Sequence, residues 1–371
     1  MPSPLRRLLH RALDLQPDSG PAERQAGCQL KGRKAPNRAP QAKSSRATRC
    51  ARQRHPVASL KSRYNNDERI RVATNDDITA CLGPEVAQYA ANKHRGGSSG
   101  NKGTRYEDFF MAYRVAQAVA DIVKEPAHKD PTVKGQCGGL VDDLRIATPD
   151  STKYFQLKNQ KKVGWSTGEH PIATDFEYQK VLSDHLKEPS PSTTLVVACT
   201  TLAAALGANI PASISGHTTV EHFPWHPTPN RLVLEFPELQ AHLSLLSHTE
   251  APSLDVLSAV FGMLLIACLN HPDGASAREI AETAAKQLPG QLRPLPATKD
   301  WESYLAVDFK RTLAVVHGLV YSVKRGFFHW SGFGTSGVFG SSVLSEEFKQ
   351  FQNDIVLRQP KTFEEFEEVL P

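Results

Sequence analysis

Residues 141–160 read VDDLRIATPDSTKYFQLKNQ. Apolar and polar residues alternate in two short runs, and Pro149-Asp150-Ser151-Thr152, four residue types that favour turns, lie between them. This pattern predicts a β-hairpin. With the turn centred between Asp150 and Ser151, Leu144 faces Leu157 and Ile146 faces Phe155, an apolar face for a core. Arg145 then lies opposite Gln156 and Asp143 opposite Lys158. Because side chains alternate with period two, Asp143, Gln156 and Lys158 project together from the face turned away from the core. Asp142 shares the parity of Leu144, so it is the alternative to Asp143 should a bulge exchange the two.

The flanking segments predict an α/β arrangement. TRYEDFFMAYRVAQAVADIVK places Phe109, Phe110, Tyr113, Ala116, Val119 and Ile122 at helical spacing, so a helix is expected from Thr104. Another helix is expected over 175–186, then a buried strand in STTLVVACT, residues 192–200. RLVLEFPEL, residues 231–239, reads as one further strand. A second unit is expected from about residue 252: helices in LDVLSAVFGMLLIACLN, SAREIAETAAKQL and DWESYLAVDFKRTLAVV, then a hairpin turning at Gly326. Three helices and a hairpin fit a winged-helix pattern, with Lys324 and Arg325 at the wing tip facing a phosphate backbone; a helical interaction domain fits equally. The expected units are thus 1–63, 64–245, 252–358 and an acidic tail, 359–371.

Of the 371 residues, the first 63 hold fifteen Lys or Arg against three acids, leaving 29 basic and 36 acidic residues for the remainder. That basic segment has no apolar periodicity and reads as a disordered tail, either a polybasic arm for nucleic acid or simply solvated. No apolar run reaches the roughly 18 residues of a membrane span, and there is no secretory pattern. The cysteines at 28, 50, 81, 137, 199 and 268 form no CxxC pair, and a reducing cytoplasm is expected. KHRGGSSGNKG, residues 93–103, lacks the GK[ST] ending of a P-loop. Gly332, Gly334 and Gly337 match GxGxxG without a βαβ setting, and read as a flexible loop. His217, His222 and His226 lack a completing ligand set for zinc.

The chemistry turns on the polar face of the hairpin. A carboxylate, an amide and an ammonium on adjacent strands can be a cross-strand ion pair. Glu107 adds a third acid or donor, although Thr104-Arg105-Tyr106-Glu107 is also a capping box. Oxygen ligands that hold Mg²⁺ beside a lysine are what metal-dependent phosphodiester hydrolysis requires. Glu107, then Asp143, then twelve residues, then Gln156-Leu157-Lys158 resembles the PD-(D/E)xK restriction-endonuclease-like superfamily. VDDLRIA…YFQLK after GTRYEDFF is similar in particular to the double-stranded-DNA endonuclease domain of bacterial CBASS anti-phage effectors. The resemblance covers about residues 100–201.

The resemblance implies a restriction-endonuclease-like core, a central mixed sheet flanked by helices. It implies Asp143 and Gln156 as metal ligands, Lys158 as the catalytic lysine and Glu107 as an auxiliary ligand or water-positioning residue. The cofactor would be Mg²⁺, with Mn²⁺ as a substitute, and the substrate double-stranded DNA. A sensor or partner protein of a defence system would act with the chain, with oligomerisation open. Gln156 departs from the acid of the superfamily's name. Lys161, Lys162 and Trp165 follow the active strand, where they would track a phosphate backbone and stack on a base, or else form a solvated strand end. The rival expectation is a non-catalytic nucleic-acid-binding or complex-forming protein with a degenerate nuclease fold.

Overall fold

A computed structural model describes residues 73–97, 101–295 and 300–371, so the expected basic tail lies outside the described residues. In chain order these are α1 (Asn75–Leu82), α2 (Pro84–Gly97), α3 (Asn101–Lys124), β1 (Thr132–Gly135), β2 (Leu144–Thr148), β3 (Ser151–Lys158), α4 (Ile172–His185), β4 (Pro191–Val197), α5 (Thr200–Ala208) and β5 (Thr218–His222). There follow α6 (Pro229–Glu235), α7 (Pro237–Leu246), α8 (Leu254–Leu269), β6 (Ala275–Ser276), α9 (Ala277–Gln287), a 3₁₀ turn (Trp301–Tyr304), α10 (Val307–Leu313), β7 (Val320–Lys324), β8 (Phe327–Gly332), β9 (Thr335–Val338), α11 (Glu346–Arg358) and α12 (Phe363–Glu367).

The main sheet has six strands in the order β5-β4-β3-β2-β1-β6. β2 pairs antiparallel with β1 and β3, whereas β4 runs parallel to β3 and to β5. The two parallel steps are made through α4 and α5, because parallel neighbours need a crossover. The sheet is covered on both faces. Tyr106, Phe109, Phe110 and Val119 of α3 join Leu144, Phe155, Leu157 and residues of α7, α8 and α9 in one core. Tyr154, Leu195 and Val197 pack against Phe176, Leu206 and Trp165 on the other face. The first core therefore runs through α8 and α9, past residue 252. A second core gathers Phe309, Phe328, Phe348 and Phe351 with Phe363 and Phe366 of α12, which gives the acidic tail a packing role.

Several expectations are corrected. The turn centre lies one residue earlier than expected and the pairing is shifted by two: Leu144 pairs with Phe155, Arg145 with Tyr154 and Thr148 with Ser151. Its two-residue turn is Pro149-Asp150, held by the Thr148 hydroxyl, which accepts from the Ser151 N–H at 3.1 Å. The polar face is not a surface, since Arg145 and Gln156 are each 3% exposed. Arg145 there pairs with Glu188 at 2.8 Å. α3 begins at Asn101 rather than Thr104, so Thr104 is inside the helix and the capping box does not define its start. Residues 231–239 form parts of α6 and α7, not a strand; Pro229 and Pro237 each sit in a first turn, where proline is tolerated.

The glycine-rich stretch after residue 331 is the β8–β9 hairpin rather than a loop. A Cβ at Gly332 would lie 2.4 Å from the Phe363 ring. That glycine serves packing.

Candidate functional site

The site forms where β2 starts and β3 ends, on the edge of the sheet at which the parallel strands β3, β4 and β5 terminate. Ligand sites of open α/β sheets lie outside the carboxyl ends of such strands. The loop leading to β2 is pinned from α4. The Gln179 amide oxygen accepts from the N–H groups of Leu140 and Val141 at 3.0 and 3.2 Å. Gly139 has φ 142°, and a Cβ there would meet that same oxygen at 2.6 Å, so only glycine lets the two approach. The ladder also holds the loop, with Gln136 N–H donating to the Asp143 carbonyl at 3.1 Å and Cys137 N–H to that of Asp142 at 2.8 Å.

This places Asp143 beside Gln156, not opposite Lys158. The Asp143 carboxylate accepts from the Leu157 N–H at 2.6 Å and from the Gln156 amide nitrogen. The register shift of two residues changes the partner but preserves the face, because a shift by two leaves side-chain parity untouched. Asp142 points elsewhere, toward Lys93, 3.5 Å from its ammonium. Glu107, in the second turn of α3, accepts from the Gln136 amide at 2.6 Å.

Electrostatics tie the set together. Burial pushes the Glu107 carboxyl up to about 8, with repulsion from Asp143, Asp108 and Asp142 adding to it and Lys158 opposing. Burial likewise pushes Asp143 up to about 6, helped by Asp142 and opposed by Lys158, the Leu157 N–H and Lys93. Asp108 is raised to about 6 by burial. Burial is the largest cause in all three, and carboxyls perturbed in this way are common at functional sites.

Sequence reasoning missed Lys93, Gln136, Gln179 and Asp175. The Lys93 ammonium donates to the Gln156 amide oxygen and to Asp175, each at 2.9 Å, and to the Leu140 carbonyl at 2.5 Å. Tyr89 OH donates to Asp175 at 3.1 Å. Burial alone would depress the Lys93 pKa; Asp142 and Asp175 outweigh it and hold the group above its ordinary range. Lys93 sat in the sequence beside a glycine-rich stretch, 63 residues from Gln156, and no local pattern could join them.

Two residues expected to bind nucleic acid do other work. Trp165 is 7% exposed, packs edge-on against Phe176 and donates its indole N–H to the Leu206 carbonyl at 3.1 Å, so it cannot wedge against a base. Arg325 donates to the carbonyls of Ser244, Ser247 and Thr249 at 2.6, 3.1 and 2.8 Å, capping the end of α7. Lys161, Lys162 and Lys324 are exposed.

The carboxylates of Glu107 and Asp143 are oxygen donors of the kind a hard divalent cation takes, while the Gln156 oxygen is turned to Lys93 and an Asp142 oxygen lies 3.5 Å from the same ammonium. Among the described residues no three His, Cys, Asp or Glu side chains form a metal-holding group by themselves, so the Gln156 oxygen would be needed as the third donor.

The sequence matches no known protein-family profile and no curated protein. Two solved structures match in part. One is the Acinetobacter baumannii Cap4 SAVED/CARF-domain containing receptor, 10% identical over 48% of this chain and 46% of that chain, with a TM-score of 0.33. The other is that receptor with the cyclic trinucleotide 2'3'3'-cAAA, 9% identical over 48% of this chain and 44% of that chain, with a TM-score of 0.32. The chain thus spans less than half the length of these receptors, and a similarity this low transfers neither fold nor function. The described residues form a mixed α/β protein with a six-stranded mixed sheet flanked by helices, and no helix among them is long and apolar enough to cross a membrane.

Proposed function

We propose that the chain is a divalent-metal-dependent DNA endonuclease that hydrolyses phosphodiester bonds of double-stranded DNA, acting in bacterial anti-phage defence. The observation that carries the reading is the bonding of Asp143 to Gln156 and the Leu157 N–H beside Lys158 at the end of β3, with Gln136 tying Glu107 to the same place through its side chain and its N–H. Its restriction-endonuclease-like core and its defence context rest on the sequence resemblance.

Mg²⁺ or Mn²⁺, held by Asp143, Glu107 and the Gln156 oxygen, would polarise the scissile phosphate and acidify a bound water. Lys158, at the exit of β3, orients the attacking water and neutralises charge that develops on the phosphate. Gln136 holds the Glu107 carboxylate toward the site through its 2.6 Å bond. The Leu157 N–H fixes Asp143 in the same way. Exposed Lys161 and Lys162 track the DNA backbone without reading its sequence.

The test is plasmid cleavage with Mg²⁺, Mn²⁺ or EDTA, run beside Lys158→Ala. Nicking or linearisation with metal, loss with EDTA and loss in the folded variant are expected; undiminished cutting by Lys158→Ala overturns the site assignment. One observation favours the second reading, a degenerate nuclease that only binds nucleic acid: Gln156 turns its nitrogen, not its oxygen, toward Asp143. Salt-sensitive DNA binding without cleavage under any divalent metal would establish that reading.

A further inference from the structure

The orientation of the Gln156 amide is dictated from both sides. Ionised Asp143 offers only acceptors and the Lys93 ammonium only donors, so the amide nitrogen then faces Asp143 and the amide oxygen faces Lys93. No other rotation of the amide satisfies both neighbours, and Gln156 is 3% exposed, so water cannot replace a lost partner. The ammonium is fixed in turn, with Asp175 and the Leu140 carbonyl accepting its other hydrogens.

We propose that Lys93 is a positioning residue that holds the Gln156 oxygen away from Asp143 and thereby governs cation loading of the candidate site. The inference rests on the metal-site reading above. For Gln156 to present its oxygen beside Asp143, the amide must turn over. Its nitrogen then meets the ammonium, donor against donor, unless α2 withdraws Lys93. Cation binding and the seating of Lys93 are therefore coupled, and a partner or ligand that drew α2 away would load the site. An acid at position 156 would carry no such latch, because one carboxylate oxygen can keep Lys93 while the other takes the cation.

The experiment is isothermal calorimetry with Mg²⁺ alone on four proteins: wild type, Lys93→Met, Gln156→Glu and the double variant. Removing a charge-assisted hydrogen bond that opposes binding should tighten Mg²⁺ binding in Lys93→Met by at least about tenfold more than the same substitution does in the Gln156→Glu background. Equal gains in both backgrounds would mean simple charge removal and overturn the latch while leaving the metal site standing. Weaker binding in Lys93→Met overturns it too, by making Lys93 a scaffold of the site. No binding by any of the four overturns the latch and the endonuclease reading together. Should Lys93→Met fail to fold, the side-chain amide resonances of Gln156 in the wild type give the answer: they must move on Mg²⁺ saturation, and unmoved resonances sink the proposal.

Discussion

The β2–β3 and β7–β8 hairpins are built on different turns and put their cations to different uses. In β7–β8 the turn residues Arg325 and Gly326 have φ of 51° and 84°, the left-handed pair that matches strand twist. Its glycine announces it in the sequence. In β2–β3 the turn is Pro149-Asp150; proline cannot adopt positive φ, and the Thr148 side chain closes the turn instead. The first turn could be located by its glycine, the second only to within a residue. Yet the readable hairpin misled about function, since its arginine reaches back to three carbonyls at the end of α7. The less readable one keeps its polar residues on a common face. A hairpin's local sequence sets which side chains share a face; the neighbour packed against that face sets what they do.

The comparison breaks most sharply at Lys158. Lys158→Ala should lower plasmid cleavage by at least about 100-fold with an unchanged far-UV spectrum and melting curve, since a positioned proton-transfer group is worth that much. Cleavage within a few-fold of wild type would place the β2–β3 hairpin among structural ones.

Arg325→Ala should do the reverse. It removes a charged cap from three carbonyls, so denaturant unfolding should show a loss of about 2 kcal/mol, with DNA affinity unchanged. An altered affinity at unchanged stability would restore the wing-tip role.

The acids of the site predict a pH effect on the metal-free protein. Glu107 and Asp143 are raised to about 8 and about 6, so the native state binds more protons than the unfolded chain from about pH 4 up to those values. Stability contributed by their protonated forms is therefore lost as pH rises through that window. The thermal midpoint should fall by a few degrees between pH 5 and pH 8, and Mg²⁺ should raise it more at pH 8 than at pH 5; a Mg²⁺ effect independent of pH would separate these acids from the metal.

The smallest effect is expected at Lys324, the exposed cation of β7. Lys324→Ala should leave stability within about 0.5 kcal/mol. If the residue meets a phosphate, the logarithmic salt dependence of DNA binding should become shallower by about one unit. An unchanged slope removes the β7–β8 hairpin from the nucleic-acid surface altogether.

Much of the main sheet was legible because its signals are local. The alternation in residues 144–158, the stripe of α3 and the apolar run of β4 each follow from a period of two or 3.6. β1, β5 and β6 escaped because short strands carry too little pattern, and residues 231–239 were misread because β-branched and aromatic content outweighed two prolines that open helices. That Asp143, Gln156 and Lys158 share a face is unaffected by the register error for a definite reason: the error was two residues, and parity repeats every two.

The sequence by itself determined the hairpin, the residues on its polar face and the helix that brings Glu107 near, because each depends on neighbours a few positions apart. Only the tertiary structure decided that Trp165 is buried, that Arg325 caps α7, that Gln179 pins the loop before β2 and that Lys93 holds Gln156. Those contacts join residues 38 to 81 positions apart, and which groups meet across such distances is set by how the layers pack. Packing is a property of the whole core, and no short stretch of chain contains it.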